Sequence, residues 1–133
     1  MKDFSNGIRK NNDRARSKGL EGNLTVEEFR IIADLFKEDG ELVCPYCNRK
    51  GADSLDHIIP LNKGGGTTKK NIIPVHVKCN MDKSSEDVHT FEKNCKATKI
   101  NCKKIEMVMK NDYHEKTTYL KFTKDDWELQ EEL

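Results

Sequence analysis

Between Leu24 and Gly40 the apolar residues Phe29, Ile32, Ala33 and Phe36 recur at i, i+3, i+4 and i+7, which predicts a helix with one face on a core. Thr25 is its expected N-cap. Glu28 completes a capping box, Leu24 and Phe29 hold the two positions of a hydrophobic staple, and Gly40 is the expected C′ residue. Ser54 to Ile59 alternates and predicts a short strand stopped by Pro60; Asn71 to Val75 predicts the returning strand. The intervening LNKGGGTTKKN reads as a long hairpin loop. Leu42 to Cys47 leads into a tight turn, and His76 to about Ser84 reads as a short helix.

The remaining segments carry weaker patterns. In SSEDVHTFEKNC, Val88, Phe91 and Cys95 share one helical face behind N-cap serines, and Ile105, Val108 and Met109 indicate another helix. TTYLKFTKDDWELQEEL is expected to form a short strand and an acidic helix capped by Thr123. Residues 1–23 lack a stable apolar period. They read either as a solvated basic arm or as a helix formed against phosphates and ended by Gly19 and Gly22. The expected class is therefore α+β, a strand–strand–helix core flanked by an N-terminal helix and C-terminal helices. The expected organisation is a basic arm over 1–23, the core over 24–84 and a mostly helical extension of the same domain over 85–133.

Composition limits how large that core is. Of 133 residues 35% are apolar and 35% charged, enough for one modest domain in which a structural metal would supply missing stability. The net charge of +1 names no partner, but the charge is unevenly distributed. Lys2, Arg9, Lys10, Arg14, Arg16 and Lys18 crowd the first twenty residues, and six lysines stand between Lys93 and Lys110 against Glu106 alone. The tail reverses sign with Asp125, Asp126, Glu128, Glu131 and Glu132. Such blocks suggest a polyanion-facing surface and a separate acidic face. Five cysteines, an odd number that includes one C-x-x-C, fit metal binding in a reducing compartment better than a disulfide framework. No apolar run approaches a membrane span and MKDFSNGIRK has no signal-peptide core, so a soluble, cytoplasmic chain without a membrane partner is expected.

Cys44 and Cys47 form a C-x-x-C, and His76 and Cys79 an H-x-x-C of the same spacing. Together they are a closed set of soft and borderline ligands suited to tetrahedral zinc, the alternative being free thiols in a small core. His76 is also a potential ligand of a catalytic metal, but its spacing from Cys79 assigns it to the zinc. Cys95 and Cys102 belong to no such arrangement and read as ordinary core or surface thiols.

Between the pairs lie Asp56 and His57, adjacent on a strand and so facing opposite sides unless the strand ends there. An aspartate offers oxygen to a hard ion, and a neutral imidazole takes a proton near neutral pH. Asn80, next to Cys79, faces away from the zinc and offers a second oxygen ligand. Asn71 can brace the His57 segment through its amide. Taken singly, each has a plain explanation as a turn acid, a satisfied strand histidine, a turn residue or a helix-surface amide.

The ordered run Cys44-Pro45-Tyr46-Cys47, Asp56-His57-Ile58-Ile59-Pro60, Gly64-Gly65-Gly66 and Asn71 through His76, Cys79, Asn80 and Lys83 resembles the His-Asn-His (HNH) nuclease superfamily, with its ββα-metal core and zinc-knuckle brace. The resemblance spans roughly residues 42–84. The basic N-terminal segment and capped helix are also similar to small phage-type members. It implies His57 as general base, Asn71 as the residue positioning it, and Asp56 and Asn80 as ligands of a catalytic Mg2+ or Mn2+. Cys44, Cys47, His76 and Cys79 would then hold structural Zn2+. Two departures stand out: Asn80 occupies the place of the last signature histidine, and His76 a zinc position where cysteine is usual.

The resulting expectation is metal-dependent hydrolysis of DNA phosphodiesters by a monomer that nicks one strand. Arg9, Lys10, Arg14, Arg16, Lys63, Lys69, Lys70 and Lys83 are the candidate phosphate contacts, each with a solvated face as its alternative. Two other readings compete. One is a non-catalytic zinc module that binds nucleic acid, which has no need for Asp56, His57 and Asn80 together. The other, compatible with nuclease activity, is an adaptor whose acidic tail docks a partner such as a phage packaging protein.

Overall fold

A computed structural model of the chain describes residues 3–84 and 100–111. Its elements run α1 (Ser5–Ser17), α2 (Val26–Leu35), β1 (Lys37–Glu38), β2 (Glu41–Leu42), β3 (Ser54–His57), a 3-10 turn (Leu61–Lys63), β4 (Ile72–Val75), α3 (Val77–Lys83) and α4 (Cys102–Lys110). This is an α+β architecture. The expected helix over SSEDVHTFEKNC, the expected strand and helix over residues 117–133, Cys95 and the acidic tail all lie outside the described residues.

The centre is an antiparallel ribbon in which Ser54, Leu55, Asp56 and His57 of β3 face Val75, Pro74, Ile73 and Ile72 of β4. All four β4 residues are buried, since helices cover the ribbon: α1 and α3 pack on β3, α2 and α4 on β4. With α3 following β4 directly, β3–β4–α3 is the expected strand–strand–helix unit. Phe29, Ile32, Ala33, Phe36, Leu55, Ile72, Ile73, Val75, Ile105 and Val108 form its apolar core.

The α2 start is as the spacing predicts. Thr25 Oγ1 accepts the Glu28 N–H at 3.0 Å and the Glu28 carboxylate accepts the Thr25 N–H at 3.0 Å, while Leu24 and Phe29 are both buried. Its end is not. The helix stops at Leu35, and Asp39 and Gly40, with φ of 53° and 79°, turn a two-residue hairpin that pairs Lys37 with Leu42 and Glu38 with Glu41. Asp-Gly is a favoured pair for such a turn, because both central residues need positive φ. Gly40 therefore serves a hairpin and not a helix C-terminus.

Residues 5–17, for which the sequence left a solvated arm and a phosphate-induced helix open, are a helix packed on the core. Phe4, Ile8, Asn12 and Ala15 form its buried stripe, and the Phe4 ring lies 4.9 Å from that of Phe29. Asn12 explains why no apolar period was visible, since a polar residue takes a core position. Its amide pairs with the Leu24 backbone, Nδ2 donating to the carbonyl at 2.9 Å and Oδ1 accepting the N–H at 3.1 Å. This fixes α1 against the entry to α2. At the other end of the core, Asn101 N–H donates to Pro45 O at 2.7 Å and its side chain caps α4, whose Ile105 and Val108 point inwards while Met109 faces out. Among the described residues no helix is long and apolar enough to cross a membrane.

Replacing Asn12 by Ala strands two buried backbone groups of Leu24. The expected loss is about 2 to 3 kcal/mol of unfolding free energy, read from the urea midpoint. An unchanged midpoint would mean that α1 is not pinned there.

Candidate active site

The Cys44–Cys47 turn and the first turn of α3 bring Cys44, Cys47, His76 and Cys79 together, with their ligand atoms all within 4.8 Å of one another. Tetrahedral zinc with bonds of about 2.0 to 2.3 Å requires ligand separations just under 4 Å, so the cluster needs only slight contraction. His76 Nδ1 lies 3.1 Å from Cys47 Sγ, and Nε2 lies 2.9 Å from the Lys50 carbonyl. A carbonyl only accepts, so Nε2 carries the proton and Nδ1 is left as the ligand nitrogen.

The charges also fit a dication. Burial raises the Cys44 thiol, and burial together with the neighbouring Cys44 and Cys47 pushes Cys79 up to about 12. Burial acts against the Cys47 thiolate too, but hydrogen bonds from Arg49 bring it down to about 7. Three thiolates this close are stable only around a positive ion.

The second group lies in a cleft of about 340 Å³ lined by Asp56, His57 and Asn80, by Asn11 and Arg14 of α1 and by Lys18 just beyond its end. The strand ends at His57, so both members of the dipeptide reach this cleft while their partners lie apart. Asp56 Oδ2 accepts the Tyr46 hydroxyl and sits 3.2 Å from Lys83 Nζ, a pair whose side chains are 7% and 0% exposed. Burial pushes the Asp56 carboxyl up, opposed by Lys83 and Tyr46, while burial and the Asp56 charge hold the Tyr46 phenol well above its ordinary value. Asn80 Nδ2 donates to Leu55 O at 3.2 Å, which turns the amide towards β3.

His57 Nε2 lies 2.8 Å from Thr67 Oγ1. Burial, with Arg14 and Lys83 adding positive charge, lowers His57 to about 4, so the ring is neutral at pH 7. Asn71 does not hydrogen-bond the ring. Its Oδ1 accepts Ile59 N–H at 2.8 Å, and its Nδ2 donates to Ile59 O at 3.0 Å and Gly66 O at 2.8 Å. It thus clamps the chain just beyond His57 to the glycine loop. Gly65 is required there by close approach, since a Cβ would stand 1.8 Å from Ile59 O and 2.7 Å from Asn71 Nδ2.

The expected phosphate contacts divide. Arg14 lines the cleft, and Arg9, Lys10, Arg16, Lys63 and Lys70 are exposed. Arg9 bonds Asn6, and Arg16 bonds Asp13 and the Gly22 carbonyl. Lys69 and Lys70 border a different recess with Glu21 and Glu28. Lys83 is corrected from a surface contact to a buried one: it is fully covered, pairing with Asp56 and donating to His57 O at 3.1 Å. Tyr46 and Thr67 are the site residues that sequence reasoning missed. Tyr46 lies inside the C-x-x-C, and Thr67 directly follows the three glycines.

Residues 37–86 match the family model described as HNH endonuclease, a span that holds both pairs of cluster ligands and Asp56, His57, Asn71 and Asn80. No curated protein and no solved structure matches the chain.

The depressed His57 value has a stability consequence. The unfolded imidazole binds a proton below about 6.5 and the folded one only near 4, so between these values the unfolded state holds more protons and stability rises with pH. The contribution is present above about 6.5 and is lost as the pH falls, reaching about 3 kcal/mol at its limit. Urea midpoints between pH 6.5 and 4.5 are expected to fall more steeply for the natural chain than for His57→Gln. Parallel slopes would contradict the assignment.

Proposed function

We propose, from the premise that residues 37–86 are an HNH endonuclease domain, that the chain is a metal-dependent hydrolase of DNA phosphodiester bonds that nicks one strand. The observation that carries this reading is the convergence of a carboxylate, an amide and a neutral imidazole, Asp56, Asn80 and His57, on one cleft edged by Arg14 and Lys18. A purely structural zinc module has no use for that trio.

In this reading His57 takes a proton from a water aligned with the scissile bond, since its ring is neutral far below pH 7. The phosphates of a bound strand act on it in the opposite sense to Arg14 and Lys83, raising its basicity when substrate is present. Asp56 and Asn80 would hold a hard divalent ion, Mg2+ or Mn2+, through a carboxylate and an amide oxygen. Such an ion, when bound, stabilises charge on the phosphorane and the leaving 3′ oxygen. Lys83 keeps the buried Asp56 charge balanced, and Tyr46 fixes the orientation of that carboxylate. Arg14, Lys18 and the exposed Arg9, Lys10, Lys63 and Lys70 give a salt-dependent, largely sequence-independent grip on the backbone. Those contacts, and one such trio among the described residues, support a monomeric nicking enzyme.

Supercoiled plasmid incubated with the purified chain and Mg2+ or Mn2+ is expected to become open circles. His57→Ala should lower the rate by at least about 100-fold, within the range general bases contribute. Full activity in His57→Ala removes the general-base role. DNA binding without cleavage under every ion is the outcome of the non-catalytic module.

A further inference from the structure

We propose that Thr67 is a positioning residue that holds the ring proton of His57 on Nε2, making Nδ1 the atom that accepts the proton from water; this rests on the nuclease reading above. Thr67 is fully buried, and its Oγ1 stands 2.8 Å from the Asn11 carbonyl as well as 2.8 Å from His57 Nε2. A hydroxyl has one proton to give. The Asn11 carbonyl can only accept, so the Thr67 proton goes there and Oγ1 meets the imidazole as an acceptor. Nε2 must therefore be the N–H nitrogen. A neutral imidazole has one such proton, so Nδ1 keeps its lone pair, and it makes no hydrogen bond to any described residue.

The hydroxyl is itself held in place. Thr67 N–H donates to Glu21 O at 2.8 Å and Thr67 O accepts Asn23 N–H at 3.1 Å, a short parallel bridge between the glycine loop and the α1–α2 connection. Asn11 lies on α1, which is pinned at the next residue by Asn12. Neither Asn11 nor the connection belongs to the segment 37–86. The helix that precedes the nuclease domain thus sets the proton position within it. When Nδ1 takes a proton from water, Nε2 keeps its own and the imidazolium retains its bond to Thr67; the water oxygen bonds to phosphorus as the P–O3′ bond breaks, and the 3′ oxygen leaves with the bonding pair and is protonated from solvent.

Nitrogen-15 spectra of the purified full chain at neutral pH test this without reference to cleavage. The His57 resonances are identified by their loss in His57→Gln. The expected pattern is a protonated Nε2 with a slowly exchanging hydrogen and an unprotonated Nδ1, unchanged in Thr67→Ser. Thr67→Val keeps the shape and removes the acceptor. It is expected to lose the slow Nε2 hydrogen and, in the plasmid assay, to lower kcat by about 10-fold to 100-fold with KM little changed, while Thr67→Ser stays close to the natural chain. A proton on Nδ1 in the natural chain, or a Thr67→Val ring spectrum identical to it, would overturn the assignment. If no form of the protein cuts DNA but the slow Nε2 hydrogen depends on the residue 67 hydroxyl, the proton placement stands and the nuclease reading alone fails.

Discussion

Three thiol sulfurs and one imidazole nitrogen within 4.8 Å of one another are a repulsive arrangement for thiolates and a poor apolar core, unless a dication lies among them. An ion held there would join Cys44 and Cys47 to His76 and Cys79, and so the two halves of the domain. On one side the clamp sets the turn that carries Tyr46, whose buried hydroxyl reaches Asp56. On the other it sets the first turn of α3. The same short helix then carries Asn80 to the cleft and Lys83 beneath it. A chain with only a third of its residues apolar has little else to hold a seven-residue helix in register.

Within that frame the polar groups are wired in two directions from one dipeptide. Asp56 turns to Tyr46 and Lys83, where burial would favour the uncharged acid and the ammonium keeps the anion affordable in a dry environment. His57 turns to Thr67 and through it to Asn11, while its backbone carbonyl receives Lys83. Lys83 therefore touches both residues of the pair. The two halves of the site are not independent, and α1 belongs to it as fully as the ribbon does.

The local features were legible in the sequence because they depend on spacing alone. The Thr25–Glu28 capping box, the metal pairs and the β3–β4 ribbon each follow from residues a few positions apart. Features that depend on tertiary context were not. A core stripe with Asn12 at its middle has no apolar period, and its reason, the Leu24 backbone, is twelve residues away. The apolar stripe ending at Phe36 hid the Asp39–Gly40 hairpin, where turn chemistry overrides the pattern. Lys83 looked like a surface phosphate contact because lysine is rarely buried, yet an unpaired Asp56 beneath α3 makes burial the better solution. Thr67 carries no motif and is identified only by what its hydroxyl touches.

Elemental analysis of the purified chain, set beside its fold by circular dichroism, tests the account where most depends on it. The expected result is about one zinc per chain, the stoichiometry of a single four-ligand site, with loss of both metal and native structure in Cys44→Ser/Cys79→Ser. A zinc-free chain that keeps its native structure and its cleft would contradict it.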